Sequence, residues 1–192
     1  MKVFIISHPK SGTYLCSNIL IELGFKQTGL HLLNGKGYYK YDLFDESAMK
    51  QNKFKKYRKI GVSLIDNLKL IDEKSFAVGH IHYNKALCSH FQAFKLLYVS
   101  RDNNERIESY KRMNKEFGRN CPSSSQFESE NKMISPWSNH AFNLSFEDMI
   151  NKNTSKIDDL QIYLFNEIKY DSYNVITHAL NKPSITKSSI RK

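Results

Sequence analysis

Three places in the 192-residue chain combine chemically capable side chains with a setting that would present them to a ligand. The first is the turn Lys10-Ser11-Gly12-Thr13 within ISHPKSGTYLC, between an apolar run and a helix-like segment. Backbone N–H groups at a helix start favour an anion, and glycine lets the backbone approach it closely. Lys10 adds a full positive charge, while Ser11 and Thr13 add hydroxyl donors, so the composition describes a phosphate cradle. It is not a Walker A loop, GxxxxGK[ST], in which the lysine follows the glycines; here Lys10 precedes Gly12. An ordinary strand-to-helix turn has the same composition, and this stretch alone does not choose between the two.

The second place is Arg101, which follows KLLYVS and has Ser109 eight residues downstream. A guanidinium donates in a planar fork that suits a phosphate monoester. The plain alternative is a surface pairing of Arg101 with Asp102 or Glu105. The third is His80, which closes SFAVGH. An imidazole titrating near neutrality suits a general base, although a single histidine in such a place is more often structural. His82, Tyr83 and His90 carry less weight, because nothing places them at a strand end. Cys16, Cys88 and Cys121 show no CxxC spacing, which suits reduced thiols rather than a disulfide framework or a zinc site. No metal is expected.

For these residues to act together, the chain must bring them to one edge. Apolar, β-branched and aromatic runs predict strands at Val3–Ser7, 75–79, 95–100 and 142–146. Leu15, Ile19, Leu20 and Leu23 form a helical stripe closed by Gly24. Further helices are predicted at 86–94, after a cap at Asp102 or Asn103, at 157–168 and at 172–180. Residues 28–42 read as an irregular connection, basic 53–59 as a solvated surface, and 118–140, rich in Ser, Asn and Pro, as a mobile loop or lid. Strands alternating with helices predict an α/β three-layer sandwich with a central parallel sheet, in one domain over 1–192. Ligands in such sheets sit at the carboxyl ends of strands. Lys10–Thr13, His80 and Arg101 all fall at such ends.

Apolar residues make up 40% of the chain, enough for a real core, and 11 Tyr with 12 Phe argue against disorder. A net charge of +10 points to anionic partners: nucleotides, sulfate or phosphate esters, nucleic acid or an anionic membrane. No RNP, KH or zinc pattern is present, so nucleic acid is not the expected partner. The apolar run Val3–Ile6 is too short for a signal peptide core or a membrane span. A soluble, cytoplasmic protein is the expectation, with its oligomeric state unspecified.

HPKSGTYL resembles the 5′-phosphosulfate-binding loop of the sulfotransferases that use 3′-phosphoadenosine 5′-phosphosulfate (PAPS), which reads approximately PKSGTTW. KLLYVSRDNNERIESYKR resembles that family's 3′-phosphate segment, VGHIHYN stands where the family carries its catalytic histidine, and LSFEDM is similar to its strand-plus-YEDL element. The four occur in the family's order and spacing, and the resemblance is weakest over 25–70 and 114–140. It implies a P-loop NTPase-like fold of sulfotransferase type, with PAPS as donor and no metal. Lys10, Ser11, Gly12, Thr13 and Tyr14 would hold the 5′ end, Arg101 and Ser109 the 3′-phosphate, and His80 would be the base, with Lys10 also catalytic. Arg191 and Lys192 resemble the first two residues of the family's RKG motif, and would also touch the donor. The acceptor would be a small molecule or glycan offering a hydroxyl or amine.

The sequence departs from the family at Leu15, where many members have an adenine-stacking Trp, and at Val78, where many have a second catalytic lysine. The glycine-rich remainder of the RKG motif does not follow Lys192. Two other readings stay open: a nucleotide- or polyanion-binding inactive relative, and a P-loop nucleotide kinase, which would need a Walker lysine and a magnesium ligand. Tyr38, Tyr39, Tyr41 and Phe44 are candidates for an acceptor pocket.

Overall fold

A computed structural model describes residues 1–33, 37–40, 58–60, 63–116, 118 and 120–182, with the backbone alone at 37–40, 58–60 and 116. Arg191, Lys192, Tyr41, Phe44 and most of the basic run 53–59 lie outside the described residues, as do the side chains of Tyr38 and Tyr39.

The chain runs β1 (Lys2–Ser7), α1 (Thr13–Glu22), β2 (Lys26–Leu33), β3 (Gly37–Lys40), β4 (Arg58–Ile60), α2 (Leu64–Lys69) and β5 (Ser75–His80). It continues through α3 (Lys85–Cys88), β6 (Phe94–Ser100), α4 (Asn103–Glu116) and α5 (Ser124–Ile134). It then forms β7 (Phe142–Ser145), α6 (Phe146–Ile150), α7 (Thr154–Phe165) and α8 (Ser172–Asn181). The sheet order is β4-β3-β2-β5-β1-β6-β7. The five strands from β2 to β7 pair in parallel, and β3 and β4 extend the β2 edge in antiparallel fashion. This is the central parallel sheet expected, with an antiparallel edge added.

β1 can lie in the middle of the five parallel strands because its side chains are apolar on both faces. Val3 and Ile5 pack with Cys16, Ile19, Leu160 and Ile176 of α1, α7 and α8. Phe4 and Ile6 point the other way, against Leu64, Leu68, Ile134 and Trp137. A period of two along one strand thus builds two helical layers. Among the described residues no helix is long and apolar enough to cross a membrane.

Two segments differ from expectation. Within 28–42, expected as an irregular connection, residues 28–33 belong to β2 and 37–40 are β3. Gly29 sits at φ 71° and the β2 register shifts between Gln27 and His31, which breaks the alternation that would have marked a strand. Residues 118–140 hold α5 and a 3-10 turn, Ser135–Asn139, rather than a lid. The serine run that suggested a loop is a helix start: Ser123 caps α5 in a reciprocal capping box with Gln126, and Ser124 and Ser125 open its first turn. Trp137 behind it is fully buried, its indole N–H donating to the Ile81 carbonyl at 2.9 Å. Of the expected helix over 86–94, only α3 and a 3-10 turn at Ser89–Phe91 form, and Phe94 already belongs to β6. Asp102 is the cap of α4, its Oδ1 accepting from the N–H groups of Asn104 and Glu105.

Candidate active site

The loop between β1 and α1 is bent by two residues in the left-handed region, Lys10 at φ 69° and Gly12 at φ 91°. For lysine that conformation costs of order 1–2 kcal/mol. α1 then starts without a side-chain cap and without an acidic residue in its first turn, so the positive end of its dipole faces the loop. Ser7 Oγ lies 2.6 Å from Thr13 Oγ1, which fastens the last residue of β1 to the first of α1. Ser11 is buried, and its Oγ has no hydrogen-bond partner among the described residues. Lys10 and Tyr14 are partly buried beside it. A Cβ on Gly12 would lie 2.5 Å from Cδ2 of Phe146. Gly12 is therefore required by packing as well as by its backbone angle.

Arg101, just past β6, reaches back to this loop. Its Nη1 donates to the Lys10 carbonyl at 3.3 Å, and its Cζ lies 4.1 Å from the centroid of the Phe146 ring. Phe146 is thus a plate with Gly12 and Arg101 both packed against it. The other edge of the guanidinium is occupied: Nε and Nη2 donate to Glu105 Oε2 at 3.2 and 3.1 Å. The side chain is only 14% exposed, whereas that of Glu105 is 52% exposed. The pairing of Arg101 with Glu105 is therefore present, while the remaining nitrogen of the guanidinium faces the loop. Ser109 lies further along α4, partly buried.

His80 ends β5. Its Nδ1 is 2.7 Å from the Ser7 carbonyl and 3.4 Å from Ser7 Oγ. A carbonyl only accepts, so Nδ1 carries the hydrogen and Nε2 keeps the lone pair of the neutral ring. Burial pushes His80 down to about 4; the bond to Ser7 opposes this, and the charge of Arg106 adds to it. The near-neutral titration expected from the sequence is thus replaced by a histidine held neutral. The His31 ring meets it edge-on, with centroids 4.8 Å apart. Val78 is buried in the apolar layer against α1.

The loop follows β1, His80 ends β5 and Arg101 follows β6. Since the order is β5-β1-β6, all three stand at the carboxyl ends of adjacent parallel strands. Sequence reasoning did not single out Ser7 and Phe146, which couple them. Together these residues offer an anion cradle, a guanidinium clamp and a neutral imidazole with one nitrogen lone pair. Among the described residues no group of three or more His, Cys, Asp or Glu side chains is placed to hold a metal ion.

No protein-family model and no curated protein matches the sequence. Solved structures do. The fold is similar to mouse sulfotransferase SULT7A1 complexed with PAP, with a TM-score of 0.60 and 13% identity over 94% of this chain and 63% of that one. It is also similar to retinol dehydratase in complex with androsterone and inactive cofactor PAP, with a TM-score of 0.51 and 13% identity over 93% of this chain and 64% of that one. The chain spans less than two thirds of the length of either.

Proposed function

We propose that this chain, which has the sulfotransferase fold, moves a sulfonate group from PAPS to a hydroxyl or amine of a small molecule or carbohydrate. The observation that carries this is the meeting of the Lys10–Thr13 loop, His80 and Arg101 at the carboxyl ends of β1, β5 and β6. The chain would do so as a single domain and a soluble cytoplasmic enzyme.

The residues present fit such a donor. The helix start has no side-chain cap, Ser11 Oγ is buried without a partner among the described residues, and the Arg101 fork already holds an oxyanion, that of Glu105. Lys10, Ser11, Gly12, Thr13 and Tyr14 would hold the 5′ end, and Arg101 and Ser109 the 3′-phosphate. Arg191 and Lys192 would add charge to the same site. The donor supplies a sulfonate already activated by its link to phosphate. Nε2 of His80 would take the proton of the acceptor as it attacks. Lys10 and the loop amides would stabilise charge on the departing oxygen without reorganising, and in-line placement would do much of the rest.

The test is transfer of radiolabelled sulfonate from PAPS to a mixture of phenols, amines and sugars. Label should reach an organic acceptor, and Lys10→Ala should slow this by about 10²-fold or more. Absence of labelled product with the unaltered chain would overturn the assignment.

A further inference from the structure

Five residues beyond Arg101 stands a second guanidinium that the donor scheme does not use. Arg106 lies in the first turns of α4 yet is 1% exposed. Its Nε and Nη2 have no hydrogen-bond partner among the described residues. These two nitrogens share one edge of the guanidinium, the edge that grips an oxyanion side-on. Arg101 uses the same edge for Glu105. The Arg106 guanidinium also lies near the buried Phe127 of α5, with Cζ 5.7 Å from the ring centroid. A buried charge with an unsatisfied donor edge is costly to keep unless something pairs with it.

Its surroundings belong to the active end of the sheet. His8, directly after β1, is 4% exposed, and its Nε2 lies 3.3 Å from Ser135 Oγ. Its Nδ1 is buried, again without a partner among the described residues. Its ring meets Tyr98 edge-on at 6.1 Å. The guanidinium lies close enough to depress both His8 and His80, while Glu130 and Tyr98 favour its charged form. The two arginines serve opposite layers. Arg101 packs on Phe146, which adjoins the α1 layer, whereas Tyr98 belongs to the layer of Ile134 and Trp137. The loop and Arg101 meet the donor's phosphates on one side, which leaves Arg106 for the other reactant.

We infer that Arg106, with His8 beside it, binds a carboxylate of the acceptor and so holds the acceptor's nucleophile at His80. That the bound compound is the acceptor rests on the sulfonate-transfer assignment; the carboxylate site does not. The acceptor class is then an acidic hydroxyl or amine compound rather than a neutral phenol or sterol.

Calorimetry on the full chain loaded with adenosine 3′,5′-bisphosphate tests this with two matched pairs: para-hydroxybenzoate against its amide, and glucuronate against glucuronamide. At least one acid should bind about tenfold or more tighter than its amide. Arg106→Met should abolish that preference and Arg106→Lys retain part of it, with bisphosphate affinity unchanged in both. In the unaltered chain, NMR should show the bound acid raising the His80 titration, because it offsets the guanidinium charge. Equal binding of acids and amides overturns the inference, as does a preference that survives Arg106→Met. Loss of bisphosphate binding in a folded Arg106→Met chain also overturns it, since Arg106 would then serve the donor. If the bisphosphate does not bind the unaltered chain, the transfer assignment fails, yet the pairs measured without it still decide the role of Arg106.

Discussion

Nδ1 of His80 lies 2.7 Å from the backbone carbonyl of Ser7, the last residue of the neighbouring strand. The same serine holds Thr13 through its hydroxyl at 2.6 Å. One small residue therefore sets the tautomer of the candidate base and anchors the start of the helix that would face the donor. Replacing His80 by Ala removes the acceptor-side nitrogen and leaves the loop intact. Transfer should fall about 10²-fold or more, with bisphosphate affinity held within about twofold. Parallel rate and titration measurements check this, and a nearly unchanged rate would assign the proton to another group.

The pH dependence follows from the same geometry. Burial holds the imidazole of the unliganded chain at about 4, against an ordinary value of 6.5. The acid limb of kcat/KM for the donor should therefore lie near 4. Bound donor phosphates favour the imidazolium, so the limb in kcat should move upward. A free-enzyme limb at 6.5 would mean that His80 is not the base.

Stability should also depend on pH. His8 is pushed to about 3 by burial, with Arg106 and His80 adding to the shift, and His80 to about 4. A depressed histidine binds fewer protons folded than unfolded. Its contribution is complete above the unfolded value of about 6.5 and is lost as pH falls through the folded value. Tm should decline from about 6.5 down to about 3. His8→Gln should flatten that decline, which scanning calorimetry across pH would show.

Glu105 competes for the fork that would hold the 3′-phosphate, at 3.2 and 3.1 Å. An exposed pair of this kind is worth about 0.2–1 kcal/mol. Glu105→Gln should therefore tighten bisphosphate binding by up to about fivefold. Weaker binding would show that Glu105 orders the site rather than occupying it.

Gly12→Ala should lose about 1–3 kcal/mol in urea unfolding. Its Cβ would lie 2.5 Å from Phe146 Cδ2, on a backbone at φ 91° that alanine avoids. No loss would mean that Phe146 yields without disturbing Arg101.

The readable parts of this chain are those where one physical signal dominates. β1, β5 and β6 show as apolar runs because parallel strands bury both faces. The Lys10–Thr13 loop, His80 and Arg101 stood out because polar residues directly follow such runs. β2 was hidden by Gly29 and the shift beside it, and α5 by cap residues that share the composition of a loop. Phe146 looked like one more apolar residue in a strand, and nothing local says that it carries Arg101. Arg106 sits among the charged residues of NNERIESYKR, a pattern typical of a solvated helix, and only packing reveals that it is buried.

Calorimetric titration with adenosine 3′,5′-bisphosphate beside 5′-AMP tests the central claim most directly, in the unaltered chain and in Arg101→Ala. The expected result is micromolar binding of the bisphosphate, roughly −8 kcal/mol, at least about tenfold tighter than 5′-AMP, with the preference gone in Arg101→Ala. Equal affinity for the two nucleotides, or a preference that outlasts the loss of Arg101, would contradict a PAPS-type donor site.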